Sequence, residues 1–206
     1  MIVECIAAAT AVNMDKYYDV QTNDDDLRKW IVDTYFGRVE TVISALTGDT
    51  STYYIPKELV FAIMYQESRG NPYAYRYEPG FFSWLSRRIS GDDAVRGLKQ
   101  YVSKKTEMVG RSTSYGPMQI LGQTAREMGF KGPYLTELCD PDQGIYYSTK
   151  YLLSRIKRHP SLEEHIAAFN SGTPKYHSKT NTLINAPYVE SVKQQMNKFK
   201  EILQDV

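Results

Sequence analysis

The sequence predicts a mainly α-helical protein, a compact bundle of short helices. Three observations carry that prediction. Apolar residues recur at three- and four-residue intervals through most of the chain. The periodic segments are punctuated as helices are, by Asn, Asp, Ser or Pro before them and by Gly after them. No run alternates apolar and polar residues as a half-buried strand does. With 206 residues, 42% hydrophobic and 24% charged, the chain has ordinary globular composition and can bury a real core.

The elements follow in order. Residues 1–13, MIVECIAAATAVN, are apolar but lack a basic stretch and carry Glu4, which reads as a packed helix rather than a secretory signal. Nothing visible exports the chain, and no run is long enough to span a bilayer. Residues 23–48 open with acidic capping residues and close at Gly48, with Leu27, Trp30, Ile31, Tyr35, Val39, Val42 and Leu46 on one face. GDTSTYYIP is a loop. PKELVFAIMYQESR is a short helix with Pro56 at its start. EPGFFSWLSRRISG is another helical piece, and GRSTSYG is a loop. Residues 117–130, PMQILGQTAREMGF, read as a helix. Asp140 and Pro141 open the next, and Ser161 with Glu164 forms a capping-box pattern before HIAAFNSG. Residues 173–186 are loop, and PYVESVKQQMNKFKEIL is the closing helix.

Composition excludes several classes. A net charge of +1 implies no general affinity for polyanions, so a nucleic-acid role lacks its charge. The basic runs at 96–105 and 155–159 read as solvated faces. Cys5 and Cys139 have no metal spacing and read as buried thiols in preference to a pair. His159, His165 and His177 form no i,i+4 pair, so no metal and no cofactor are expected. Seventeen tyrosines suit sugar faces and polar grooves, and equally cores with one wet edge.

One stretch asks for a chemical explanation. FAIMYQESRGNPYAYR begins as an apolar helix, and Gly70 and Pro72 end that helix just after Glu67. Helical spacing puts Glu67 on the face of Val60, Ile63 and Met64, where desolvation raises a carboxyl pKa and keeps a proton available near neutral pH. A helix-terminal glutamate pointing at water is the plainer alternative. Three later fragments join it: SYGPMQI at 114–120, AAFNSG at 167–172 and APYVESV at 186–192. Taken singly, a Met at helical spacing is core, an Asn before Gly is a cap, and a Tyr at a helix start is packing.

Together and in this order, ESRGNPYA, YGPMQI, AAFNSG and PYV resemble the SLT-type lytic transglycosylases, whose fold is similar to goose-type lysozyme. That family carries ESxxNP with the catalytic glutamate, then GLMQ, then AYNxG, then a tyrosine opening a later helix. The resemblance runs from residue 57 to about 195. It implies a lysozyme-like catalytic domain over residues 51–206, with an inserted lobe at about 76–110 and residues 1–50 as an N-terminal helical extension packed on the core.

Carried over residue by residue, the resemblance gives Glu67 as catalytic acid/base, followed by Ser68, with Asn71 and Pro72 as the turn fixing the helix end. Gly116 becomes the glycine that lets glycan approach the backbone. Met118 and Gln119 become groove-lining residues, Gln119 a hydrogen-bonding partner of sugar. Asn170 is expected to contact an N-acetyl sugar, and Tyr188 to orient the glutamate. Two residues depart from the pattern: Pro117 replaces leucine, and Phe169 replaces tyrosine, which removes a hydroxyl and leaves Tyr188 to serve alone. The separation of Glu67 from Gly116 also exceeds the compact family pattern, which is why a lobe is expected. Its aromatics, Tyr77, Phe81, Phe82 and Trp84, either line glycan subsites or pack the lobe onto the domain.

The implied substrate is peptidoglycan, cut between N-acetylmuramic acid and N-acetylglucosamine by one glutamate that closes a 1,6-anhydro ring. Two alternatives stay open on sequence. A second carboxylate (Glu78, Asp92, Asp93 or Glu107) would make the protein a muramidase using water, and a chain that keeps only the frame would be a non-catalytic glycan binder or particle component. The implied place of action is the bacterial cell wall, periplasmic or extracellular, reached by way of a phage particle or an envelope complex.

Overall fold

A computed structural model describes residues 11–48 and 52–204. The predicted helix over 1–13 and the question of a Cys5 partner therefore lie largely outside the described residues. Helix α1 (Met14–Val20) leads into the long α2 (Asp24–Thr47). Asn23 caps α2 by accepting from the Asp25 and Asp26 amides, three aspartates occupy its positively polarised first turn, and Gly48 closes it. Six of the seven residues predicted for its inner face are buried, and Leu46 packs at the margin.

Helix α3 (Lys57–Ser68) is the centre of the domain. Leu59 through Tyr65 are all buried, so the helix is apolar all round and needs cover on every side. That cover comes from α2 and from α10 (Ala186–Ile202), and α8 (Pro141–Ile156) packs on α2 and adds its apolar residues to the same core. Phe61 stacks on Phe199 of α10 at 5.7 Å, and Trp30 and Tyr35 of α2 meet edge to face at 5.8 Å. Helices α1 and α2 share one apolar core with α3, α8 and α10. Helix α9 (Leu162–Ser171) lies between α8 and α10, with Ser161 capping it by accepting from the Glu164 amide.

The fold is mainly α as expected, with a small sheet that the sequence did not reveal. Strands β1 (Tyr75–Tyr77), β2 (Thr113–Tyr115) and β3 (Ile120–Leu121) pair antiparallel in the order β1-β2-β3. Segments of two or three residues are too short to show alternation, and the GRSTSYG loop turns out to contain β2. The predicted helix over 117–130 is helical only at α7 (Gly122–Glu127). Its first part cannot be helix because Gly116 and Gln119 both take positive φ, +75° and +50°, and turn the chain back into β3.

Between β1 and β2 the chain makes a lobe of α4 (Pro79–Leu85), α5 (Gly91–Ala94) and α6 (Lys104–Arg111), with its own small core of Leu85, Ala94 and Met108. The lobe is tied down by Glu107, which is buried between Arg111 and Arg126, each 2.9 Å away. Among the described residues no helix is long and apolar enough to cross a membrane.

Candidate active site

The end of α3 is built to hold one carboxylate still. Arg69 and Gly70 follow Ser68 in left-handed conformations (φ +55° and +79°), and their amides return to Tyr65 and Met64 to close the helix. A side chain at Gly70 would collide with Ile31, and the Gly70 carbonyl accepts from the buried Tyr35 hydroxyl at 2.8 Å. Arg69, a residue that avoids this conformation, is held in it by the Gln21 carbonyl and Asp24, both 2.8 Å away. Asn71 then accepts from the Tyr73 amide and bends the chain toward β1.

Glu67 projects from this helix end into a groove of about 410 Å³. One wall is the sheet and lobe: Arg76, Glu78, Phe81, Ser114, Gln119, Ile120, Leu121 and Thr124. The facing wall is Tyr151 of α8 and the end of α9, from Phe169 to Gly172. Tyr188, near the start of α10, donates its hydroxyl to Glu67 Oε1 at 2.6 Å.

Burial pushes the Glu67 pKa above the usual carboxyl range. The Tyr188 hydrogen bond and the Arg76 charge pull it back, and the Glu78 charge pushes it further up. Burial raises the Tyr188 pKa well above an ordinary phenol, and the Glu67 charge and hydrogen bond add to it. Tyr188 therefore stays a donor at any working pH. The pair is a carboxyl group poised to keep its proton, with a fixed partner that still favours the ionised form once the proton leaves.

The groove brings together Glu67, Gln119, Phe169 and Asn170, all candidates from sequence. Gln119 spends both amide hydrogens inward, on the Ala74 and Gly116 carbonyls at 2.9 and 3.0 Å, which leaves its carbonyl oxygen for a ligand. The Asn170 carbonyl oxygen accepts from Asn185 at 3.0 Å, which leaves the Asn170 NH₂ as the free donor. Tyr188 meets the groove only through its bond to Glu67, and three further candidates are not at it. Met118, expected to line it, is fully buried in the main core against Thr149. Gly116, expected to admit glycan, makes room for the protein itself, since a Cβ there would lie 2.4 Å from the Leu138 carbonyl oxygen. Ser68 donates to the Pro117 carbonyl at 2.6 Å and so pins the 116–119 turn to the end of α3.

Sequence reasoning missed Arg76, Ser114 and Tyr151. The Tyr151 ring lies 5.5 Å from Phe169, and its hydroxyl donates to the Ala168 carbonyl. It thus supplies a phenol beside the place where Phe169 lacks one. Of the lobe aromatics, Phe81 lines the groove, Trp84 stacks behind it at 5.1 Å, and Tyr77 packs on Phe82. Of the four alternative carboxylates, only Glu78 reaches the groove, where Arg76 holds it at 2.5 Å. Glu107 is committed to its two arginines, and Asp92 and Asp93 sit on the exposed α5 paired with Lys104 and Arg96.

A helical domain whose central helix ends in a buried glutamate with a raised pKa, facing an Asn- and Gln-lined groove, has the features of a glycan-cleaving enzyme. The family model described as the transglycosylase SLT domain matches residues 45–187. The chain belongs to that family, whose members are lytic transglycosylases acting on peptidoglycan. No curated protein and no solved structure gives a significant match to it.

Proposed function

We propose that the enzyme cuts the β-1,4 bond between N-acetylmuramic acid and N-acetylglucosamine with Glu67 as its single acid and base. The observation that carries this reading is the Tyr188–Glu67 pair in the groove: one carboxyl held toward its neutral form by burial, beside a donor that stabilises its anion. Glu67 gives its proton to the glycosidic oxygen as the bond to the anomeric carbon breaks. The N-acetyl carbonyl oxygen of the muramyl unit bonds to that carbon in its place. Ionised Glu67, stabilised by Tyr188, then takes the proton of the muramyl 6-hydroxyl. The 6-oxygen displaces the N-acetyl oxygen and closes the 1,6-anhydro ring. Glu67 ends protonated and no water is consumed.

General acid and base assistance of this kind contributes about 10²–10⁴-fold per proton transfer. The free Asn170 NH₂ and the Gln119 carbonyl oxygen are matched to an acetamido group and to sugar hydroxyls. Peptidoglycan lies outside the cytoplasmic membrane, so the working place is the periplasmic or extracellular wall.

Glu78 supports a second reading, hydrolysis with water positioned by a second carboxylate, because it shares the groove. Its engagement with Arg76 speaks against it. Digestion in ¹⁸O-labelled water separates the two. Our reading predicts products without label and lighter than hydrolytic ones by one water. One ¹⁸O per cut would establish the hydrolase.

A further inference from the structure

A second cavity, of about 440 Å³, opens between the lobe and α7, and Glu67 is not on its wall. Helix α7 divides the two spaces: Thr124 lines the catalytic groove, while Gln123 and Glu127 line the second cavity. Exposed Arg96, where the basic run read as a solvated face begins, and exposed Lys131 are on its rim. Arg111, Arg126 and Phe130, all largely buried, line it further in.

This cavity has donors and positive charge to spare. Arg111 and Arg126 share one carboxylate, Glu107, so the triad keeps one positive charge in excess, on side chains only 12% and 7% exposed. A charge kept from water is costly unless an opposite charge meets it. Arg126 gives N–H groups to both Glu107 oxygens and to the Phe130 and Gly132 carbonyls, which leaves one over. Arg111 gives to Glu107, Gln123 and the Ala94 carbonyl, which leaves two over. The amide of Gly97, at φ +80° on the cavity wall, bonds to none of the described residues. The nearby carboxylates are engaged, Glu127 by Gln123 at 2.8 Å and Asp93 by Arg96. With both of them counted, and Lys131 as well, the cavity remains net positive.

We propose that this cavity binds a phosphate ester, at a site separate from the catalytic groove. Its donors come from different elements: guanidinium N–H groups from α6 and α7, the Gly97 amide from the lobe, and the Lys131 ammonium from the segment after α7. A tetrahedral phosphate points its oxygens in several directions and meets such a set better than a planar carboxylate does. The cavity is also much larger than one phosphate group, so it admits the alcohol to which the phosphate is joined, against Leu98 and Phe130. A bound ester joins Arg111 of α6 to Arg126 of α7 and ties the lobe to the domain beside the groove.

The test is a ³¹P NMR titration of glycerol phosphate with the full chain in phosphate-free buffer at fixed ionic strength. Wild type is expected to bind it saturably, and acetate should displace it only at about tenfold or higher excess. The double variant Arg96→Ala, Lys131→Ala removes the rim cations and leaves the Glu107 triad in place. It should bind about tenfold or more weakly, the worth of a hydrogen bond to a charged group, while its urea midpoint matches wild type. Poly(glycerol phosphate) distinguishes the sources of the group. Displacement of glycerol phosphate by the polymer assigns a phosphodiester of a wall polymer, and failure to displace it assigns a soluble phosphate ester. No saturable binding by wild type, equal binding by the folded double variant, or acetate competing on equal terms would each overturn the inference.

Discussion

The Tyr188 hydroxyl sits 2.6 Å from Glu67 Oε1, although the two residues come from helices at opposite ends of the domain's sequence. The contact exists because α10 packs along α3 over its whole length, with Phe199 on Phe61 at one end and Tyr188 on Glu67 at the other. Core packing thus delivers the phenol to the carboxyl.

Replacing Tyr188 by Phe removes a donor that favours ionised Glu67. The Glu67 pKa should rise, and the alkaline limb of the kcat/KM profile, which reports loss of the protonated acid, should move to higher pH. The base step loses its stabilising partner, so kcat should fall about 10–100-fold, the worth of a hydrogen bond to a charged group. A pH–rate series on soluble glycan strands checks both.

Glu78→Gln should act the other way on the same limb. It removes the charge that pushes the Glu67 pKa up and frees Arg76, which pulls it down. The limb should move to lower pH while the plateau kcat stays within about tenfold of wild type. A plateau loss of about 10²-fold or more would instead mark Glu78 as a proton-transfer group.

Glu67 also carries a stability signature. Its pKa is raised by folding, so the folded protein binds that proton more tightly than the unfolded chain. Its contribution is fully present below the unfolded value of 4.5 and is lost as pH rises through the higher folded one. Glu67→Gln has no such titration. Relative to wild type the variant should gain stability between pH 4 and neutrality, which urea unfolding at the two pH values measures.

Gly116→Ala should be costly away from the chemistry. The left-handed backbone costs about 1–2 kcal/mol for a side chain. The new Cβ would also press on the Leu138 carbonyl oxygen, which adds about 1–3 kcal/mol. Thermal unfolding should drop by several degrees, at about 2–4 °C per kcal/mol for a domain of this size.

Gln119→Glu should disrupt the same turn by a different cause. The amide hydrogens given to Ala74 and Gly116 would be replaced by oxygen lone pairs facing two carbonyls. Both carbonyls keep a backbone donor, the Gly116 amide on Ala74 and the Gln119 amide on Gly116, so the cost is the two lost hydrogen bonds, about 0.5–1.5 kcal/mol each, plus oxygen–oxygen repulsion. Activity should fall more in this variant than in Gln119→Ala, where water can fill the space.

How much of this was legible follows from length and locality. Helix α2 could be read because 24 residues give the apolar period many turns to repeat, and because Asn23 and Gly48 mark its ends. Helix α3 could be read from its apolar run, and Glu67 stood out because it breaks that run at the last turn. The sheet could not be read, since its strands hold only two or three residues. The 117–121 segment misled because Met118 and Leu121 stand three residues apart, a helical interval, while the fold takes Gln119 to a positive φ that no local preference favours. The link from Glu67 to Tyr188 came from motif resemblance, not from pattern. Arg76, Ser114 and Tyr151 reach the groove only through tertiary pairing, which leaves no local trace.

The most direct test of the central claim is mass analysis of soluble products from purified peptidoglycan, with wild type beside Glu67→Gln. The account predicts products ending in 1,6-anhydro-muramic acid from wild type and none from a folded Glu67→Gln protein. Anhydro products from the variant at the wild-type rate would contradict it.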